Sequence, residues 1–220
     1  MNKQICYSIS IYGDNDKYYS MAQIQINNIL KHNNLSIVIF LCDMHAILWS
    51  EKVYQDIESL LRPKVLFINK NNEKRLQSVP DKLVRFYACF YMSSDIFHIR
   101  DADHTFSFQE EVDIVNRWHR TNKGYLIVRS SLEHYDPVMA GLLSYRSNFG
   151  ELLCRYIDRI NPIYKFLIAR IMQYRYAQIL LSLYVYPLIL KDLFVVTNGC
   201  IYKGEEYHLT SNKNLKGFSD

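Results

Sequence analysis

Arg85-Phe86-Tyr87-Ala88-Cys89-Phe90-Tyr91-Met92-Ser93-Ser94-Asp95-Ile96-Phe97-His98-Ile99-Arg100-Asp101-Ala102-Asp103 decides how the rest of this 220-residue chain is read. An apolar run ends there in two acidic residues with one residue between them. Ile96, Phe97 and Ile99 fit a short buried strand of a sheet covered by helices. The carboxyl end of such a strand is where α/β sheets bind ligands. Two carboxylates at this spacing, Asp101 and Asp103, can both approach a hard divalent cation, and Mg²⁺ or Mn²⁺ held by them neutralises the diphosphate of a nucleotide. That is leaving-group chemistry for sugar transfer. The competing reading of Asp-x-Asp is a solvated turn or a helix cap. Context favours the metal: the pair follows the apolar segment directly, and Thr105 or Ser107 is placed to cap a separate helix that begins near Phe108 with Glu110 and Glu111 in its first turn.

Outward from this stretch, strands and helices alternate. Residues 5 to 11 read as a strand ending in the turn cluster Tyr12-Gly13-Asp14-Asn15-Asp16, which opens a helix over 18 to 31. A strand at 36 to 41, a helix at 46 to 61 and a strand at 65 to 68 follow, then a helix over 81 to 92. Beyond the acidic pair the pattern predicts a helix over 109 to 121, a strand at 125 to 128 and a short apolar strand at 138 to 143. Gly141 within it admits a ligand or another strand close to the backbone. Helices at 150 to 158 and 164 to 190, the second broken near Pro187, lead to a last strand at 194 to 197 and an irregular polar tail after Gly204. This order predicts an α/β fold with a mainly parallel central sheet. The length, the absence of a linker or repeat, and the low glycine and proline content favour one domain over residues 1 to 220.

Composition narrows the function classes. Cys6, Cys42, Cys89, Cys154 and Cys200 are scattered among apolar neighbours without a Cys-x-x-Cys pair, so they read as reduced core residues and not as a zinc or disulfide framework. No signal-peptide pattern follows Met1, so cytoplasmic residence is the default expectation. Residues 179 to 190 form the most apolar segment, shorter than the roughly 20 residues that span a bilayer and interrupted by Ser182 and Pro187, so a buried helix is expected. The formal net charge is +4, unevenly spread: residues 120 to 191 hold ten Lys or Arg against Glu133, Asp136, Glu151 and Asp158. Arg155, Arg159, Lys165, Arg170 and Arg175, interleaved with tyrosines, suit a phosphate backbone with stacked bases, a membrane surface, or an ordinary solvated helix face.

With these elements placed, the chain resembles the nucleotide-diphospho-sugar transferases of GT-A fold, in particular a group of small bacterial and viral glycosyltransferase-like proteins. Tyr7-Ser8-Ile9-Ser10-Ile11-Tyr12-Gly13-Asp14-Asn15 resembles the opening strand of that family. Arg85-Phe86 and Ile99-Arg100-Asp101-Ala102-Asp103 resemble its arginine helix and Asp-x-Asp strand, and Val115-Asn116-Arg117-Trp118 the helix after it. Arg129, His134 and Pro137-Val138-Met139-Ala140-Gly141 resemble the segment near the acceptor side. Gln178-Ile179-Leu180 through Tyr186-Pro187-Leu188-Ile189 resembles the Asp-Gln helix and the element after it.

The resemblance covers nearly the whole chain. It implies a three-layer sandwich and a metal-dependent glycosyltransferase that uses Mn²⁺ or Mg²⁺ held by Asp101 and Asp103. Ser10, Tyr12, Gly13, Asp14, Arg85, Arg100, Gly141 and Gln178 are its expected substrate-binding residues, with the nucleotide-sugar donor as partner. His134 and Asp136 fall in a loop after a strand, where a general base or an acceptor contact belongs. Ala177 stands where the family has Asp before Gln, Ser130 where it has Asp after Arg, and Val196 and Thr197 where a metal-binding histidine is common. The third metal ligand and the catalytic acid are therefore unassigned, with His208 the candidate substitute ligand. Trp49 and Trp118 are expected in the core. Alternative acceptors are hydroxymethylated bases in viral DNA, to which the basic half and the abundance of Asn, Lys, Ile and Tyr, suggestive of an AT-rich genome, point, and a cell-surface polysaccharide or lipid-linked sugar. A binding module that kept the fold without the chemistry is the non-enzymatic alternative.

Overall fold

The structure is a computed structural model and describes residues 3–103, 108–129, 136–171, 175–197 and 201–209. The chain divides into two compact units, Met1–Asp103 and His104–Asp220.

In the first unit, β1 (Ile5–Ile11), α1 (Asp16–Leu30), β2 (Leu35–Leu41), α2 (Met44–Asp56), β3 (Val65–Asn69), α3 (Asp81–Val84) and β4 (Ile96–Ile99) follow in chain order. The strands lie in the order β3-β2-β1-β4, and every pairing is parallel. β1 and β2 are buried along nearly their whole length, as parallel strands covered on both faces are. Asn15 starts α1, its side chain accepting from the Lys17 N–H at 3.0 Å, and Tyr19, Ala22, Ile26 and Ile29 recur on the buried face. Asp43 caps α2 in the same way, with Oδ1 accepting from the Ala46 N–H at 2.9 Å.

The helix expected over 81 to 92 is only one α turn, α3, continued as a 3₁₀ helix over Arg85–Phe90. Leu83 through Ala88 are all buried, so the segment has no solvent face from which a helical period could be read. The helix expected to reach residue 61 ends at Asp56, and a 3₁₀ turn at Arg62–Lys64 leads into β3.

The second unit contains α4 (Phe108–His119), β5 (Tyr125–Arg129), β6 (Leu143–Arg146), α5 (Ser147–Asp158), α6 (Pro162–Ile171), α7 (Tyr176–Leu180), α8 (Tyr186–Ile189), β7 (Leu193–Thr197) and β8 (Glu206–Leu209). β5 pairs antiparallel with β6 and parallel with β7, and β7 pairs parallel with β8. Arg146 closes α4: its guanidinium donates to the carbonyls of Thr121 at 2.7 Å and Lys123 at 2.9 Å and lies 5.2 Å from the Trp118 ring, which is fully buried as expected. Trp49 is half-buried, packed between Tyr19 and Phe67. Gly124 has no room for a side chain, because a Cβ there would meet the Phe149 ring at 2.5 Å.

Three expectations change in this unit. The strand placed over 138 to 143 is a bend and turn, with β6 beginning at Leu143, because the Leu142 N–H closes onto the Met139 carbonyl. The long helix over 164 to 190 is α6, α7, a π turn at Leu181–Val185 and α8, with Pro187 inside α8. The polar tail carries β8, whose polar sequence suits the edge position it holds among the described strands. Cys6 and Cys154 are buried and Cys42 and Cys89 half-buried, all four as free thiols; Cys200 lies outside the described residues. Burial pushes the Cys6 thiol up to about 12. Among the described residues no helix is long and apolar enough to cross a membrane.

Candidate active site

The strand order of the first unit reverses between β1 and β4, since the chain adds β2 and β3 on one side of β1 and then returns to its other side with β4. A crevice outside the carboxyl ends of the strands at such a reversal is the general ligand site of open α/β sheets. The residues leaving β1 and β4 there are Tyr12-Gly13-Asp14 and Asp101-Ala102-Asp103. β1 and β4 run in register from Ile5 and Ile96 to Ser8 and Ile99, and the Arg100 N–H donates to the Ser8 carbonyl at 3.0 Å, which sets Ser10 level with Asp101.

The acidic turn is braced from two sides. Arg85, the buried first residue of the 3₁₀ helix, donates from Nη1 to the Arg100 carbonyl at 2.7 Å and to Asp101 Oδ1 at 2.6 Å. The Arg85–Asp101 pair is thus a salt bridge, yet the Asp101 side chain keeps 53% of its surface exposed and Asp103 is half-exposed. From α1, buried Gln25 donates through Nε2 to the Ala102 carbonyl at 2.6 Å and the Asp101 carbonyl at 3.1 Å. Sequence reasoning passed over Gln25; the signal that marks it is a polar side chain at a position of the buried helix face, beside Ile26 and Ile29. Lys82, half-buried, is close enough to feel both Asp101 and Arg85: burial lowers its pKa and the Asp101 charge opposes that. Arg100 is buried and donates from Nη1 to the Ile99 carbonyl at 2.8 Å.

On the β1 side, Gly13 holds φ +83°, a backbone region that L side chains rarely adopt, and a side chain there would meet nothing within 4 Å. Its N–H donates to Asp43 Oδ2, so one carboxylate both caps α2 and fixes this loop. The Gly13 carbonyl accepts from the Tyr19 hydroxyl at 2.6 Å. Burial, then the carboxylates of Asp43, Asp14 and Asp16, push that hydroxyl up to about 12. Asp14 is exposed and Tyr12 half-buried. Ser10 is buried, and among the described residues its Oγ has no hydrogen-bond partner, as is also true of Arg85 Nε.

The remaining expected residues belong to the second unit. Asp136 accepts through Oδ2 from Arg175 Nη2, and its carbonyl accepts from Arg129 Nε at 3.3 Å. Arg129 and Glu205, with fully buried side chains, form a two-point ion pair at 2.5 and 2.9 Å, and Glu205 also accepts from the Tyr186 hydroxyl and the Tyr202 N–H, both at 2.8 Å. Glu205 is a second residue that sequence reasoning missed, because its partner is 76 positions away. Gly141 is buried in the turn before β6, and Gln178 on α7 has a buried Oε1 with no hydrogen-bond partner among the described residues. His134 and Ser130 lie outside the described residues. Val196 and Thr197 are buried in β7, and the backbone of His208 lies opposite Val196 in β8.

Asp101 and Asp103 offer hard oxygen donors at a half-exposed turn, and among the described residues no group of three or more His, Cys, Asp or Glu is gathered. That donor set fits a Mg²⁺-like or Mn²⁺-like ion taken with substrate phosphates, in contrast to one caged by protein alone.

No protein-family model and no curated protein matches the sequence. Solved structures do match. A mannosyltransferase from Pyrobaculum calidifontis, determined with GDP-Man and Mn²⁺, aligns at TM-score 0.52 and 10% identity over 70% of this chain and 47% of its own. The galactosyltransferase LgtC, determined with donor and acceptor sugar analogues, aligns at TM-score 0.52 and 12% identity over 89% of this chain and 73% of its own. The chain thus spans about half the length of the mannosyltransferase and most of LgtC. At these identities the likeness establishes architecture, and with it the parallel α/β order and the strand reversal described above: the chain has the GT-A fold of the nucleotide-sugar transferases.

Proposed function

We propose that the protein is a metal-dependent glycosyltransferase that moves a sugar from a nucleotide-sugar donor to an acceptor hydroxyl, with residues 1 to 220 serving as one transferase domain. The observation that carries this reading is the Asp101-Ala102-Asp103 turn at the strand reversal, braced by Arg85 and Gln25 and flanked by the Gly13 loop. The mannosyltransferase of the same fold holds GDP-Man and Mn²⁺, which supports the donor and metal classes.

Asp101 and Asp103 would hold Mn²⁺ or Mg²⁺, which when bound supplies charge neutralisation for the departing nucleoside diphosphate. The chain's own groups do the rest. Arg85 fixes the Asp101 carboxylate, and Lys82 lies close enough to feel the same charge. Gln25 holds the turn by its backbone, so that the carboxylates do not have to be reorganised when substrate arrives. Ser10, Tyr12, Gly13, Asp14 and Arg100 are assigned to the donor side, with the buried Ser10 hydroxyl left without a hydrogen-bond partner among the described residues. Gly141, Gln178, His134 and Asp136 are assigned to the acceptor side, with His134 and Asp136 as the candidates for taking the acceptor proton. Asp136 is held by Arg175, which fixes the direction of its carboxylate.

The test is thermal stabilisation by a panel of nucleoside diphosphates and nucleotide sugars, with and without Mn²⁺, in wild type and Asp103→Ala. A ligand at about 100 times its Kd adds about 2.7 kcal/mol, which raises Tm by about 5–10 °C for a chain of this size. A metal-dependent rise that disappears in Asp103→Ala supports the transferase site and identifies the nucleotide. No rise with any donor overturns it in favour of a binding module.

A further inference from the structure

We propose that the first unit holds a second ligand site, a cleft that takes a neutral oligosaccharide. The cleft, of about 810 Å³, lies against β3, the outer strand in the order β3-β2-β1-β4. That size is within the range of small-molecule sites. Its walls come from both faces of the sheet, since successive strand residues point to opposite faces. On one face Phe67 meets Tyr54 of α2 edge to face, with centroids 6.4 Å apart. On the other, Phe40, level with Ile68, meets Tyr91, and Tyr91 and Met92 complete the lining. The cleft is separate from the acidic turn. It is lined by the amino-terminal half of β3, Val65 to Phe67, two strands from β1 and so about 10 Å across the sheet, whereas the turn leaves the carboxyl end of β4.

The ligand class follows from the polar groups at the cleft. Arg62 and Glu51 line it, and among the described residues neither has an ion-pair partner. Arg62 is held in place: its Nε donates to the Ile57 carbonyl at 3.2 Å and its guanidinium lies 4.9 Å from the centre of the Tyr54 ring, which leaves the Nη donors for a ligand. A guanidinium only donates and a carboxylate only accepts, whereas a hydroxyl does both. Sugar hydroxyls therefore meet each group without bringing charge, and the C–H face of a pyranose covers an aromatic ring such as that of Tyr54, which is 43% exposed. Other classes leave something unmet. Glu51 offsets the one cation, so a phosphate or nucleotide gains no net attraction. A wholly apolar ligand would strip water from both charges, and a free amino acid matches both charges but fills only a fraction of the volume. The inference does not rest on the donor chemistry proposed above, since none of these groups belongs to it.

Binding of the full chain to an array of neutral gluco-, galacto-, manno- and N-acetylglucosamine oligosaccharides, followed by calorimetry with the strongest binder, tests it. The wild type is expected to bind without Mn²⁺ or nucleotide, and Asp103→Ala to bind equally well. Tyr54→Ala and, separately, Glu51→Ala are expected to weaken binding at least about tenfold, while Tyr54→Phe, which keeps the ring, binds as the wild type does. Glu51 is exposed, with no ion-pair partner to lose among the described residues, so its variant keeps the wild-type Tm and separates lost binding from lost folding. Binding to none of the oligosaccharides, binding unaltered by Tyr54→Ala and Glu51→Ala, binding that needs nucleotide or is lost in Asp103→Ala, or displacement of the sugar by free amino acids would each overturn the assignment. Failure of the donor thermal-shift test leaves it standing.

Discussion

Replacing Gln25 by leucine keeps the volume of a buried side chain and removes both donors that hold the acidic turn. The two acceptors differ. Ala102 is buried, so its carbonyl, which loses a 2.6 Å bond, stays away from water, a loss of about 1–3 kcal/mol. The Asp101 carbonyl loses a longer bond at a half-exposed residue and is rehydrated, which adds about 0.5–1 kcal/mol. The expected destabilisation is therefore about 1.5–4 kcal/mol, read as a lower urea midpoint at unchanged slope. Because Arg85 still holds Asp101 Oδ1, the turn is loosened and not lost. Donor binding with Mn²⁺ is expected to weaken in Gln25→Leu yet remain measurable, whereas Asp103→Ala abolishes it with little change in stability. A Gln25→Leu protein within about 0.5 kcal/mol of wild type and with unaltered donor affinity would show that α1 does not position the turn.

Further outcomes are expected elsewhere. Glu205→Leu removes the carboxylate from the buried Arg129 and is expected to cost about 3–5 kcal/mol in urea unfolding; a loss below about 1 kcal/mol would mean the pair is hydrated. Alkaline stability tests the Gly13 loop: with the folded-state Tyr19 hydroxyl raised to about 12 from its ordinary 10.0, the neutral form favours folding. That contribution is complete below pH 10 and is lost as pH rises through about 12. Tyr19→Phe removes that part of the alkaline decline, and an identical pH profile in the variant would refute the assignment.

Periodicity accounts for what is legible in the sequence. It gives β1 at its observed bounds, and β2, β3, β5 and β7 within a residue at either end, because parallel strands buried on both faces are continuous apolar runs between turn residues. The Asp-x-Asp turn is legible because two acids directly after such a run stand at a strand's carboxyl end, where a sheet meets its ligand. Gln25 and Glu205 are not legible: each is an ordinary polar residue until its partner, 76 or 77 positions away, is brought beside it. The Arg85–Arg100 segment stands out in the sequence, but which arginine takes the carboxylate is a matter of side-chain direction, and Arg85 does so.

The sequence by itself determined the alternation of strands and helices, the acidic turn after β4 and the glycine turn after β1, since these depend on side-chain period and local backbone preference. Tertiary structure decided that β4 returns beside β1, so that these two turns meet at the reversal of strand order. It also decided that β8 pairs with β7, and that aliphatic side chains of α6 and α8 face outward. The reason is physical: strand order and helix facing are set by which apolar surfaces are covered together, a sum over distant contacts that no local window of sequence contains.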